Sequence, residues 1–451
     1  PAAIMTLFLV LFSYKLAKKL TSEKLYAFIS SLIMATSFYI VASARDGQWD
    51  IYTHGFMVIC IYLLYLFFTE ETHKYRNALL AGLFFGCSFL SKGPVSMYAL
   101  LLPFLIAFGI VYKYKNFKTR WLPLVAFLAV AFIVSAWWHW YTLKFDPAAA
   151  EITKKETTNW ISYEIKPFYY YWSFFTQSGI WTIPAFISLL YPYLKNRVSN
   201  LKSYQFSLLW TIFAVVLLSI IPEKKSRYLM PVLLPLAINI GFYMDYLIRR
   251  FKHLKDKRET LPVYFNFGLI ALIALAFPLI AYLFLDEQLQ GFWLRFIIAS
   301  IVSFSIGVFI IFQLKKKNIR SVFGLTVLFF VTLFLTAVPL SKAMIAKSYK
   351  PITNLKQEHF KVYSFNYVSP ELIWQYGDKI PPIKLDDGTY DFPKEDKFGM
   401  VVIGISPEDW AILQSQYSIE EVDSFDLNTV SKEEKNYNGR LTYDYYVLSK
   451  N

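Results

Sequence analysis

Charge is scarce in this chain, and so are cysteine and histidine. Only 17% of the 451 residues are charged, while 56% are apolar and the mean hydropathy is positive. A water-soluble domain of this length needs far more charged surface, so the solvent for most of the chain is lipid. The two cysteines, Cys60 and Cys87, both fall in apolar runs, which excludes a disulfide framework and leaves buried free thiols. His54, His73, His139, His253 and His359 are scattered, with no metal-ligand spacing among them. No Walker loop or glycine-rich dinucleotide turn is present, so neither a metal nor a cofactor is expected.

What is abundant is long apolar runs and aromatic rings. Aromatics make up 19% of the chain, and many Trp and Tyr lie at the ends of the runs, where amphipathic rings meet headgroups. Runs long enough to cross a bilayer lie near 2–17, 25–43, 51–69, 77–91, 95–112, 121–141, 167–192, 204–221, 228–248, 262–284, 291–313 and 321–341. Twelve crossings are therefore expected over residues 1–341. The fourth and fifth meet at Lys92-Gly93-Pro94 and alternatively form a re-entrant hairpin.

Orientation follows from the basic residues. Alternate loops (18–24, 70–76, 113–120, 195–203, 249–261 and 314–320) hold 22 Lys and Arg, against 9 in the other set (44–50, 92–94, 142–166, 222–227 and 285–290). The positive-inside bias makes the first set cytoplasmic and places the tail, 342–451, outside. The same bias accounts for the net charge of +14 without nucleic acid as a partner. The tail reads as a small α/β domain. Lys361–Phe365, Met400–Ile405 and Leu441–Leu448 have strand character, and Ser369–Tyr376 and Ser406–Tyr417 each open with Ser-Pro-Glu, a helix-start signal. The fold class is thus a polytopic α-helical membrane protein with a small C-terminal α/β domain. The chain opens on Pro1 without a signal peptide and reads as the downstream part of a longer one.

Candidate chemistry lies in the outer loops. Asp46 and Asp50 occupy the short loop Arg45-Asp-Gly-Gln-Trp-Asp50, either as solvated loop acids or as a general base and acceptor-binding group at a bundle mouth. Pro222-Glu-Lys-Lys-Ser-Arg-Tyr228 sets Lys224, Lys225 and Arg227 against the positive-inside bias. Phosphate is the natural partner of such a cluster, with Tyr228 as a further donor; lipid headgroups are the plainer alternative. Lys92 stands alone at a helix junction, where a lysine snorkels or binds. The loop 142–166 carries Glu156 and Lys166 and enters the membrane through Pro167-Phe-Tyr169-Tyr-Tyr-Trp172, an aromatic belt or a substrate cover.

Four of these segments, in order, resemble the protein O-mannosyltransferase and aminoarabinose-transferase family of GT-C glycosyltransferases. They are Ala44-Arg45 followed by Asp50; Leu90-Ser-Lys-Gly-Pro94; Lys166-Pro-Phe-Tyr-Tyr-Tyr171; and Lys224-Lys-Ser-Arg-Tyr-Leu-Met-Pro231. The resemblance implies an enzyme that moves a sugar from a polyprenyl-phosphate carrier to a lipid, glycan or protein acceptor at the outer face of the inner membrane. It makes Asp50 the counterpart of a membrane-edge acidic residue of the family and Lys224, Arg227 and Tyr228 the counterparts of its carrier-phosphate region; with Asp46 and Lys225 beside them, these are the candidate catalytic and phosphate-binding residues. Arg45, Lys92, Glu156, Lys166 and Tyr169 are the candidate substrate contacts. The family's first outer loop, with its acidic residue, would lie upstream of Pro1. The Arg and His that many members carry before the Tyr run are replaced here by Asn159, Trp160 and Glu164. A transporter or flippase for lipid-linked glycans is the alternative, though the crossings carry almost no mid-membrane charge. A non-catalytic assembly protein is the third possibility.

Overall fold

The computed structural model describes residues 1–115, 117–146, 158, 162, 164–346, 348–353, 355, 360–385 and 387–451. They form two compact units. The first comprises Pro1–Phe277 with Val302–Val331, the second Pro278–Ile301 with Thr332–Asn451.

The first unit is built of helices: α1 (Ala2–Thr21), α2 (Lys24–Ala35), α3 (Phe38–Arg45), α4 (Trp49–Thr69), α5 (Lys74–Lys92), α6 (Leu102–Val111) and α7 (Trp121–Phe145), followed by Leu201–Ile220, Leu233–Arg250 and others. Sequence dictates them simply. After Asp50, α4 carries no Asp, Glu, Lys or Arg through Thr69, and at about 1.5 Å per residue its length matches a hydrocarbon core of about 30 Å. Among the described residues seven helices are long and apolar enough to cross a membrane, and α2 with α3, bent by 58°, makes an eighth. Their outer faces need lipid: Phe132 and Ile133 on α7 are 72% and 65% exposed. The protein is a multi-pass membrane protein.

That number falls short of twelve for identifiable reasons. The expected run 95–112 is a shorter helix that begins with a π turn at Met97–Leu101. Runs 2–17 and 77–91 are helices, α1 and α5, outside the seven. Run 167–192 is not one helix. It is 3₁₀ turns at Phe168–Tyr171 and Phe174–Trp181, then short helices at Thr182–Ser188 and Tyr191–Leu194. Pro167, Pro184 and Pro192 interrupt the ladder, and Gly179 at φ +66° takes a left-handed conformation that side chains rarely adopt. The segment still connects the two ends of the unit. Near its start the Lys166 N–H bonds to the Pro222 carbonyl (3.2 Å), and near its finish Tyr193 and Arg197 bond to Glu259 (3.0 and 2.9 Å).

Within the first unit the described loop residues gather into two groups. All six cation-rich loops interlock, through Lys19–Glu70, Arg120–Glu71, Ser203–Leu20, Arg197–Glu259 and Lys317–Leu254. At the other end gather residues of 44–50, 92–94, 164–166 and 222–228. Helix α5 links the two ends, and the chain turns back at Gly93, whose φ of +67° lets it reverse. Along its length α5 packs on α7 through Gly82 and Gly86. A Cβ at Gly82 would lie 2.6 Å from the Phe127 carbonyl oxygen, and one at Gly86 2.4 Å from Val134 Cβ, so the absent side chains permit the close approach.

The second unit contains the expected α/β fold. Strands β1 (Val362–Ser364), β2 (Lys397–Val402), β3 (Tyr417–Asp426) and β4 (Thr442–Lys450) form a sheet in the order β1-β2-β4-β3, with β1 parallel to β2 and the other pairs antiparallel. Ser369 and Ser406 cap the helices Pro370–Tyr376 and Pro407–Gln416, their side chains accepting from Leu372 N and Asp409 N. Apolar residues cover both sheet faces, with Val401, Tyr445 and Leu372 in one cluster and Phe398, Met400, Val402 and Leu413 in the other. Strand β3 was not expected: it begins at Tyr417, directly after the helix, and its burial is that of an exposed edge.

Candidate functional site

Asp50 does not lie in a solvated loop. Helix α4 begins at Trp49, which puts Asp50 in its first turn, where a carboxylate complements the helix dipole. The side chain is buried and paired. Its Oδ1 accepts from Lys92 Nζ at 2.7 Å, and His54 Nε2, one turn along the same face, stands 3.8 Å away. His54 is fixed on its other side by Ser96, with Nδ1 to Oγ at 3.0 Å. The break after α5 brings Lys92 to Asp50 and Ser96 to His54, one on each side of Gly93.

The basic segment meets this acid through Lys92, whose ammonium stands 5.3 Å from the Tyr228 ring centroid. Such a position attracts a cation to the ring face. The Tyr228 hydroxyl donates to Glu223 Oε1 at 3.0 Å, and Lys225 Nζ pairs with the same oxygen at 3.0 Å. The Arg227 guanidinium lies exposed, 5.9 Å from the Tyr228 ring. Burial lowers the pKa of the Lys225 ammonium, but its hydrogen bond to Glu223 and the surrounding negative groups outweigh this and hold it above its ordinary value.

The Tyr run completes the cluster. Tyr171, fully buried, accepts from the Lys225 N–H and donates to the Lys225 carbonyl, both at 3.1 Å. Tyr170 bonds to Ser226 at 3.0 Å. An antiparallel bridge pairs Ile165 with Glu223. All four sequence segments therefore meet at one end of the first unit.

Several candidates take other positions. Lys224 is 2% exposed and turned inward, donating to the carbonyls of Lys166 (3.0 Å), Ile221 (2.6 Å) and Pro222 (3.4 Å). Burial pushes its ammonium below the ordinary lysine range. It ties 166 to 221–222 and presents no donor outward in this arrangement. Asp46 is exposed and, among the described residues, accepts a long contact from Gln48 Nε2 at 3.5 Å; Arg45 beside it is exposed too. Neither joins the hydrogen bonds of the cluster among the described residues. Lys166 contributes its backbone while its side chain is exposed, and Tyr169 is 67% exposed. Glu156 lies outside the described residues.

Sequence reasoning passed over Glu223, His54, Tyr170 and Tyr171. A signal existed for His54, which follows Asp50 by four residues, the spacing that puts two side chains on one helix face. Chemically the site offers an acceptor-only carboxylate held by a lysine, next to cations and a tyrosine able to bind an anion.

Known proteins share this architecture. Residues 1–140 match the family model for dolichyl-phosphate-mannose-protein mannosyltransferase. An uncharacterized protein of Aquifex aeolicus (strain VF5) is 27% identical over 307 residues, 64% of this chain and 58% of that relative. The match thus spans little more than half of the relative's length. ArnT from Cupriavidus metallidurans, solved bound to undecaprenyl phosphate, superposes with a TM-score of 0.65 at 13% identity, covering 99% of this chain and 83% of its own. Its apo structure gives 0.62, with 99% and 82% covered. The chain thus shares the fold of ArnT over nearly its whole length, and its first 140 residues are similar to the dolichyl-phosphate-mannose-protein mannosyltransferase family.

Proposed function

We propose that the protein transfers a sugar from a polyprenyl-phosphate carrier to a hydroxyl of a lipid, glycan or protein acceptor. The reaction takes place at the outer face of the inner membrane, and residues 342–451 form an outer domain. One observation carries this reading: the buried acid Asp50 and the anion-binding groups Lys225, Arg227 and Tyr228, far apart in sequence, converge through Lys92. The acceptor oxygen attacks the anomeric carbon and its proton passes to a carboxylate, for which Asp50 is the candidate and exposed Asp46 the second. The bond from sugar to phosphate oxygen breaks with its electron pair left on the phosphate. Cations set where that charge grows favour the transition state over the ground state. Lys225, Arg227 and Tyr228 are assigned this task, and Lys224 positions them by clamping 221–224 to 166. Arg45, Lys166 and Tyr169, exposed near the same segments, are assigned to substrate contact.

The test is lipid binding to the protein in nanodiscs. Undecaprenyl phosphate should bind more tightly than undecaprenol, and Arg227→Ala should remove about ten- to a hundredfold of that preference, the scale of one charge-assisted contact. Arg250→Ala, at the cation-rich end, is the control and should change nothing. Equal affinity for the two lipids, or an Arg227→Ala variant that binds like the parent, overturns the assignment.

A further inference from the structure

Glu223 is an acid inside a segment otherwise suited to anions, and its position is unusual. The carboxylate is 5% exposed, and one oxygen, Oε1, accepts from both Lys225 Nζ and the Tyr228 hydroxyl at 3.0 Å. These are two of the three groups assigned to the carrier phosphate. A carboxylate oxygen and a phosphate oxygen accept hydrogen bonds of the same kind and length from such donors. Oε1 therefore sits where a phosphate oxygen would be held.

We propose that Glu223 is an internal placeholder for the carrier phosphate, an inference that rests on the donor-site assignment above. With no phosphate bound, its carboxylate keeps the Lys225 ammonium and the Tyr228 hydroxyl paired and oriented. When the phosphate arrives, both donors transfer to it, and Glu223 reclaims them as the product carrier leaves. The backbone makes this competition effective. Glu223 is bridged to Ile165, and the adjoining Lys224 ammonium is tied to the carbonyls of Lys166, Ile221 and Pro222. The carboxylate therefore cannot drift away and competes at a high effective concentration. Its function is to weaken phosphate binding enough for the spent carrier to be released.

The same nanodisc assay tests this with Glu223→Gln, which keeps the shape and an acceptor for Tyr228 but removes the charge, and with Glu223→Thr, which suits the extended backbone. Both should bind undecaprenyl phosphate about tenfold more tightly than the parent, since a charge-assisted competitor has been removed. Undecaprenol affinity should not move, and product inhibition by undecaprenyl phosphate should deepen. If only one variant folds, that variant decides. Unchanged or weaker phosphate binding, alongside a loss in Arg227→Ala, makes Glu223 a strut and leaves the donor site intact. A parent that does not distinguish the two lipids removes the donor-site assignment and the placeholder with it.

Discussion

The pairing of Asp50 with Lys92 makes a prediction that a solvated loop acid would not. Their side chains are 6% and 24% exposed and their charged atoms 2.7 Å apart. At an effective dielectric of about 20, opposite charges about 4 Å apart attract by about 4 kcal/mol, and the cost of taking both out of water offsets most of that. Removing one partner loses the attraction and keeps the other's desolvation cost. Asp50→Asn retains an acceptor for Lys92, so its expected cost is about 2 kcal/mol, while Lys92→Met strands a carboxylate and should cost about 3–5 kcal/mol. The double variant should be less destabilised than the sum, with a coupling of about 1.5–3 kcal/mol. Reversible unfolding in mixed detergent micelles, titrated with SDS and followed by tryptophan fluorescence, reads each corner of the cycle. Additivity within about 0.5 kcal/mol would show that the two side chains do not form the pair described, since independent sites add to that precision.

Two further outcomes are expected. Gly86→Ala should destabilise by about 1–3 kcal/mol, because its Cβ would meet Val134 Cβ at 2.4 Å, and Val134→Ala should restore part of the loss; Gly268→Ala, where nothing lies within 4 Å, should not destabilise, as thermal unfolding of all four proteins will show. In the second unit, hydrogen bonds from Lys384, then Tyr390, hold the Asp409 carboxyl down at about 2, below its ordinary 3.8; a depressed acid stabilises above its unfolded value and loses that contribution as pH falls, so hydrogen exchange in β2 and β4 should quicken between about pH 4 and pH 2, and less steeply in Asp409→Asn. A parent and variant with the same acid profile would remove Asp409 from the account.

The apolar runs were legible because lipid imposes one rule along the whole chain: every backbone polar group must be satisfied within the segment, so about twenty uncharged residues mean a helix. The loops were legible for the complementary reason, and the interlocking of all six cation-rich loops follows the charge count. Run 167–192 broke because composition measures transfer into lipid and says little about local geometry. Pro184 and Gly179 each cost a turn of regular ladder, which neighbouring elements make good. Asn239 donates to the Ser188 carbonyl, and the Trp181 indole anchors the segment by donating to the Thr36 hydroxyl at the bend between α2 and α3. The tail helices announced themselves by Ser-Pro-Glu, whereas β3, with Glu420, Glu421 and Asp423, carries too many charges to read as a strand until β4 supplies its partner.

The site was half legible, and the missing half is the negative one. A breach of the positive-inside bias draws attention to Lys224, Lys225 and Arg227, yet bias counts charge without asking how it is held. Lys224 spends its charge on carbonyls and Lys225 on Glu223, so Arg227 is the cation of the three without a carboxylate or carbonyl partner among the described residues. Burying a cation requires such partners, and in a loop they come from the nearest acid or from carbonyls of the strand it bridges, neither of which a charge count weighs. The same holds for Asp50, which is buried against Lys92 with His54 beside it. An anion entering this site meets Arg227 directly but must displace Glu223 to reach Lys225 and Tyr228. Its affinity is then set by the acids as much as by the cations, which is why the neutral Glu223 variants discriminate better than further lysine substitutions would.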